Sequence, residues 1–223
     1  MHGHEVALAL ALLGAHSPQS PASSYAAMDA AACTAELVRR QISYAPVTVA
    51  RGVAQPIRLT SRLSGVRFRT DLGRDADGQT PYDILDCRLA LALDDFSVIL
   101  KRYGIVEVRH YSMYRPPGRS FPASKIAARH PGGLAIDAAR FIRADGVALD
   151  VERGFSGRIG SDACGPKAYV GKIDLESIVL RHLVCEASEA QLFHVMLTPN
   201  YNWAHRNHFH LEVTKGARWF LLH

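Results

Sequence analysis

The sequence predicts an α+β fold, an antiparallel sheet with helices packed mainly on one side. The first observation behind this is a run of apolar residues at helical spacing: Leu85, Leu89, Ala92, Phe96, Ile99 and Tyr103. The second is a set of segments that read as strands, 106–115, 134–143, 192–197 and 209–213. The third is their order, which lacks both regular βαβ alternation and internal repeats.

Each element has a local justification. The N-terminal stretch Val6 to Ala15 is apolar and followed by a Ser/Pro-rich segment, Ser17 to Ser24. It reads either as an atypical secretion signal, since Glu5 precedes it and the first Lys or Arg is Arg39, or as a disordered Ala-rich tail. Residues 1–26 are therefore set outside the fold. Residues 27–79 read as an extension packed on the main domain, with a helix near Thr34 to Ile42, a hairpin over Val47 to Phe68 and a surface loop over Asp71 to Gln79. The main domain is expected over 80–223. Thr80-Pro81-Tyr82-Asp83 combines a cap residue, a proline at the first helical position and an acid in the first turn, and Gly104 ends the helix. Pro116-Pro117-Gly118 ends the strand that starts at Val106. Ser120 to Arg129 reads as a short helix or a loop. Asp174 caps a helix expected to run to about His182, and Thr198 to Asn207 joins the last two strands.

Composition limits the function classes. The chain has 223 residues, 48% hydrophobic and 21% charged, an ordinary globular balance. No apolar run reaches the ~18–20 residues that span a bilayer. The net charge of +5 is scattered. It reads as a solvated surface, with a weak preference for anionic polymers such as a bacterial cell wall as the functional alternative. No basic run carries interleaved aromatics, so nucleic acid is not an expected partner. Cys33, Cys87, Cys164 and Cys185 contain no C-x-x-C pair. Chain proximity favours Cys33–Cys87 and Cys164–Cys185 disulfides if the chain is exported; four buried thiols in a reducing compartment are the alternative.

The chemistry concentrates in His208-Phe209-His210, read with His130 and Asp137. On a strand, His208 and His210 share one face while Phe209 and Leu211 enter the core. His130 and Asp137 are seven apart, an odd spacing that puts them on opposite faces of a straight strand. They converge only if Pro131-Gly132-Gly133 turns the chain. Ala135 and Ala139 leave room beside Asp137, and a cation would offset the cost of burying its carboxylate. A salt bridge to an arginine is the plain alternative for Asp137. Two imidazoles and a carboxylate, with one position left to water, describe a catalytic zinc site. His205, on a loop, is a weaker ligand candidate. Glu212, on the face of His208 and His210, can accept an imidazole N–H; an exposed edge charge is the equal alternative.

These residues resemble a known group. His130-Pro131-Gly132-Gly133-Leu134-Ala135-Ile136-Asp137 is similar to the His-x-x-Gly-x-Ala-x-Asp motif of a zinc peptidase superfamily. That superfamily includes D-Ala-D-Ala carboxypeptidases, lysostaphin-type enzymes and the hedgehog domain. With Tyr111 to Arg115 and Asn207 to Glu212, the stretch most resembles the bacterial extensin-like C-terminal domain family, over about Asp83 to Val213. The resemblance implies a hedgehog/D-Ala-D-Ala peptidase-like fold and a Zn2+ ion on His130, Asp137 and His210. It also implies His208 beside the metal-bound water, and Arg115 on the substrate carbonyl or oxyanion. The expected activity is hydrolysis of peptidoglycan peptides in the periplasm or outside the cell. Two positions depart from the superfamily pattern: Ala128 replaces a common Ser, and Asn207 replaces the Glu that serves carboxypeptidases as general base. A non-catalytic, zinc-containing wall-binding domain is the alternative these departures suggest.

Overall fold

A computed structural model describes residues 19–74 and 78–223. Most of the apolar segment 1–26 lies outside the described residues, but its end does not. Pro21–Ala27 forms helix α1, started by Ser20, whose hydroxyl accepts the Ser23 N–H. Ala22, Tyr25 and Ala26 are buried, and the Tyr25 hydroxyl is bonded to Asp95 and to Arg40. The expectation that residues up to 26 lie outside the fold is thus corrected from residue 21 onward.

α2 (Ala30–Arg39) follows, then β1 (Tyr44–Pro46), β2 (Pro56–Leu59) and β3 (Arg67–Thr70). β1 and β2 pair antiparallel, but β3 does not complete the hairpin expected over 47–68. Positive φ at Ser64 and Gly65 (41° and 93°) redirects the chain, and β3 pairs parallel with a strand of the main sheet. Thr80 and Pro81 start one tight turn, Pro81–Asp83, rather than the long helix. β4 (Leu85–Asp86) then joins β2. Helix α3 (Cys87–Arg102) begins where Asp86 accepts the Arg88 N–H at 3.0 Å. Leu85 fits the helical spacing, yet it serves the three-stranded sheet β1-β2-β4.

The main sheet uses β5 (Ile105–His110), β6 (Ala135–Arg143), β7 (Ala148–Asp150), β8 (Val195–Leu197), β9 (Phe209–Glu212) and β10 (Leu221–Leu222). The order is β10-β8-β9-β6-β5-β3, with β7 also on β6. β10/β8 and β3/β5 are parallel, and the other pairs are antiparallel. The wholly antiparallel sheet expected from sequence is therefore mixed. β3 reaches β5 through α3, and a crossover of that length permits parallel pairing.

Helix α4 (Val151–Gly154) is a single turn, and α5 (Leu175–Glu189) opens on a capping box of Asp174 and Ser177. α5 continues past His182 because Leu183, Val184 and Ala187 keep its buried face apolar. One face of the main sheet packs on α3 and α5. Phe96 of α3 meets Phe141 and Phe193 edge-on at 6.5 and 5.8 Å, and Phe141 and Phe155 meet Phe209. Ile136, Ala138, Phe209 and Leu211 lie in this core, so Asp137 and His210 are left to the opposite face. Disulfides join Cys33 of α2 to Cys87 at the start of α3, and Cys164 to Cys185 of α5. Among the described residues no helix is long and apolar enough to cross a membrane.

Candidate metal centre

The site forms where three stretches of chain meet beside β6. His130 opens a tight helical turn, His130–Gly132, and Gly133 follows in the left-handed region at φ 65°. Gly133 also lies against β4, where its carbonyl accepts the Asp86 N–H at 2.8 Å. A β-carbon at Gly133 would stand 2.8 Å from the Asp86 nitrogen. Both constraints demand glycine. Gly133→Ala is expected to cost roughly 2 kcal/mol, measurable as a lower urea midpoint. A midpoint matching wild type would show that the turn does not need its pin on β4.

The segment Tyr111 to Arg115 is not the end of β5 but an extended stretch beside β6. Tyr111 N–H donates to Asp137 O (2.9 Å), and Asp137 N–H donates to Ser112 O (3.1 Å). In β9, His210 pairs with Asp137 and Phe209 with Ala138, which puts the His210 imidazole beside the Asp137 carboxylate.

The protons can be assigned from the acceptors. His130 Nδ1 faces the Met113 carbonyl at 3.3 Å, so Nδ1 carries the hydrogen and Nε2 is a lone pair. His210 lies between two carboxylates, Nε2 3.3 Å from Glu212 and Nδ1 3.1 Å from Asp137; with its hydrogen on Nε2, Nδ1 is free to ligate a cation. Those two nitrogens and Asp137 Oδ1 turn toward one another, at 3.0 Å (His130 to Asp137), 3.1 Å (His210 to Asp137) and 3.3 Å (His130 to His210). With neutral imidazoles these are three acceptors facing one another, and either a proton on His210 or a cation between them holds them together. Ligands about 2.0–2.1 Å from a tetrahedral ion stand about 3.3 Å apart, which matches these separations. The residues present thus fit a small divalent cation. His130, Asp137 and His210 are all buried, with ligand atoms within 4.8 Å of one another.

The surroundings keep the Asp137 carboxylate ionised. Burial works to raise the Asp137 pKa, but the three imidazoles around it outweigh burial and hold it well below the usual carboxylate range. Burial works to lower the His210 pKa, but Asp137 and Glu212 outweigh it and hold the imidazole above its ordinary value. His130 is lowered, with burial prevailing over Asp137. Glu212 is also buried. Burial would raise it, but His210 and the Thr214 hydroxyl keep it ionised.

Arg115 stands half-exposed at the rim. Its Nη2 is paired with Asp137 Oδ2 and its Nε donates to Ser112 Oγ at 2.8 Å. Asp137 therefore has both the arginine partner and the cation-ligand geometry that its sequence left as alternatives, one on each oxygen. His208 precedes β9. Its Nδ1 is 2.8 Å from Asn207 Oδ1, which leaves Nε2 as the lone pair, 3.4 Å from Asp137 Oδ1. His205, discounted for its loop position, lies in the same cleft, its ring 5.1 Å from that of His208. Burial, then His208 and His210, push its pKa down to about 4. The cleft has a volume of about 470 Å³, and its walls include Pro116, Pro117, Phe121, Arg129 and Ala204.

Sequence reasoning missed the Ser112 hydroxyl, the Met113 carbonyl and Asn202, whose Oδ1 lies 2.8 Å from His205 Nδ1, and it took Asn207 only as a replaced acid, not as the amide that orients His208. The backbone carbonyl has no sequence signal. The spacing of His205, His208 and His210 was a signal for His205 that its loop position masked. A family model described as extensin-like protein C-terminus matches residues 31–221, spanning both the N-terminal extension and the sheet that holds the site. No curated protein and no solved structure matches the chain.

Proposed function

The chain belongs to the extensin-like C-terminal family, and from that premise we propose that it is an exported zinc-dependent peptidase that hydrolyses stem or cross-bridge peptides of peptidoglycan. We place it with the zinc peptidases that include D-Ala-D-Ala carboxypeptidases, lysostaphin-type enzymes and the hedgehog domain. The observation that carries the reading is the meeting of two imidazole lone pairs and a carboxylate oxygen within 3.3 Å. Two nitrogens and one oxygen suit zinc, and three protein ligands leave a position open. The two disulfides are compatible with an oxidising, non-cytoplasmic location.

A zinc ion held by His130, Asp137 and His210 would supply Lewis acidity, lowering the pKa of a water to ~7 and polarising a scissile carbonyl. The chain's own groups then have distinct tasks. His208 takes the proton of the attacking water at Nε2, since Asn207 holds the other hydrogen on Nδ1. The imidazolium returns a proton to the leaving amine. The N–H groups of Arg115 not engaged by Asp137 and Ser112 stabilise the developing oxyanion. Glu212 fixes the tautomer of His210, and Met113 that of His130.

The test is digestion of purified murein sacculi by the zinc-supplemented chain, with mass analysis of the released muropeptides. New peptide ends are expected, and His208→Ala should reduce their rate by roughly 10²–10⁴-fold at unchanged zinc content. Release no faster than in buffer would sink the hydrolase reading. A second reading, a zinc-containing wall-binding domain without turnover, is favoured by Asn207 in place of an acid and by the engagement of Arg115 with Asp137. Sacculus binding by the wild type without new muropeptides would select it.

A further inference from the structure

Arg115 and Arg129 both line the metal cleft, and only Arg115 is paired with an acid of the ligand set. Arg129 immediately precedes His130, and its backbone is strained. It stands at φ 50° and ψ −140°, a region that glycine adopts freely and other residues avoid. Its carbonyl is pinned there by the Leu134 N–H at 2.9 Å and the Gly132 N–H at 3.2 Å. Strain that a glycine would relieve points to a use for the side chain. That side chain is 74% exposed, and its charged partner among the described residues is Glu212, whose Oε2 lies 3.7 Å from Nε. Glu212 is shared, since Oε2 also faces His210 Nε2 at 3.3 Å and Oε1 accepts the Thr214 hydroxyl at 2.8 Å. The contact is made on the Nε side, which leaves the Nη1 and Nη2 fork free. Asp137 is the one acid that lines the cleft, and Arg115 and three imidazoles already surround it. Pro116, Pro117 and Phe121 supply an apolar wall beside these charges.

We propose that Arg129 binds the terminal carboxylate of a peptide seated in this cleft, which makes the hydrolysis a removal of single residues from carboxyl ends. The inference rests on the peptidase reading of the same cleft. A free guanidinium fork matches a carboxylate with two parallel hydrogen bonds. Its position selects a carboxylate beside the reacting bond. Arg129 adjoins one metal ligand in the chain, and Glu212 links it to the ring of another. Each residue of an extended peptide spans about 3.3–3.6 Å, so a group this near the ligands meets the residue that follows the scissile carbonyl, not one several residues on. Hydrolysis there adds the hydroxyl of water to the carbonyl carbon, sends the proton to the amine and releases one amino acid.

Calorimetric titration of the zinc-loaded full chain, in a His208→Ala background that slows turnover, tests it. The probes are N-acetylated tripeptides of L- or D-alanine, each as the free acid and as the carboxyl amide. The free acid of one series is expected to bind roughly tenfold or more tighter than its amide. Arg129→Ala should erase that preference without changing the affinity for the amide, and Arg129→Lys should keep part of it. Arg129→Gly should also lose the preference, yet melt no lower than its background, because glycine relaxes the positive φ. Equal affinity for acid and amide would overturn the proposal, as would a preference that survives Arg129→Ala or a failure of every probe to bind. Equal binding of an amidated peptide that ends in glutamate would assign the contact to a side-chain carboxylate and overturn cleavage from carboxyl ends. The two readings fail separately. An acid preference without muropeptide release by wild type would keep the carboxylate contact and remove the hydrolase, whereas release of internal cross-bridge fragments without an acid preference would do the reverse.

Discussion

Asp137→Ala is expected to abolish divalent-cation binding, where wild type should hold one zinc per chain after dialysis against the metal. The substitution removes one of three ligand atoms and also frees Arg115 beside the two imidazoles. A carboxylate that neutralised a cation is thereby exchanged for an unscreened guanidinium. Glu212→Gln should be milder. It leaves the ligands intact but loosens the tautomer of His210, so zinc affinity should fall by roughly 10–100-fold. Elemental analysis and competition with a chromophoric chelator separate the two outcomes. Chelation should also lower the melting midpoint of wild type and leave that of Asp137→Ala unmoved, because a ligand bound only to the folded state stabilises it by mass action. One retained zinc per chain in Asp137→Ala would refute the assigned ligand set.

Cys33→Ser with Cys87→Ser is expected to destabilise the fold by about 4 kcal/mol. The bond closes a loop whose ends are 54 residues apart, and loop-closure entropy sets that magnitude. Against a total stability of roughly 5–15 kcal/mol, the loss leaves a marginal protein. The Cys164–Cys185 bond spans 21 residues, and its removal should cost about 3 kcal/mol. Urea unfolding of each double variant under oxidising conditions gives both values. A loss below 1 kcal/mol for the first pair would mean that the packing of α2 on α3 holds that corner alone.

Much of the site was legible because strand geometry is strict. A period of two puts His208 and His210 together, and the odd spacing of His130 and Asp137 requires a turn. The structure supplies that turn with Gly133 at φ 65°. The fold was less legible where partners are remote in sequence. Leu85 fits a helix and a strand equally well, and only its pairing with Ile57 decides between them. Nothing local in Arg67–Thr70 announces a parallel partner at Arg109. The segment Pro21–Ala27 has the composition of a tail, and its docking depends on Arg40 and Asp95 meeting the Tyr25 hydroxyl.

β9 lies in the middle of the main sheet, between β8 and β6, although it comes near the end of the chain. During synthesis, the turn and β6 emerge early and offer only one imidazole and one carboxylate. The second imidazole arrives 73 residues after Asp137, on the strand that fills the gap in the sheet. On the proposed ligand set, a chain cut before β9 keeps one imidazole and one carboxylate, too few donors to retain an ion, so cation binding is expected to be coupled to insertion of β9 between β6 and β8.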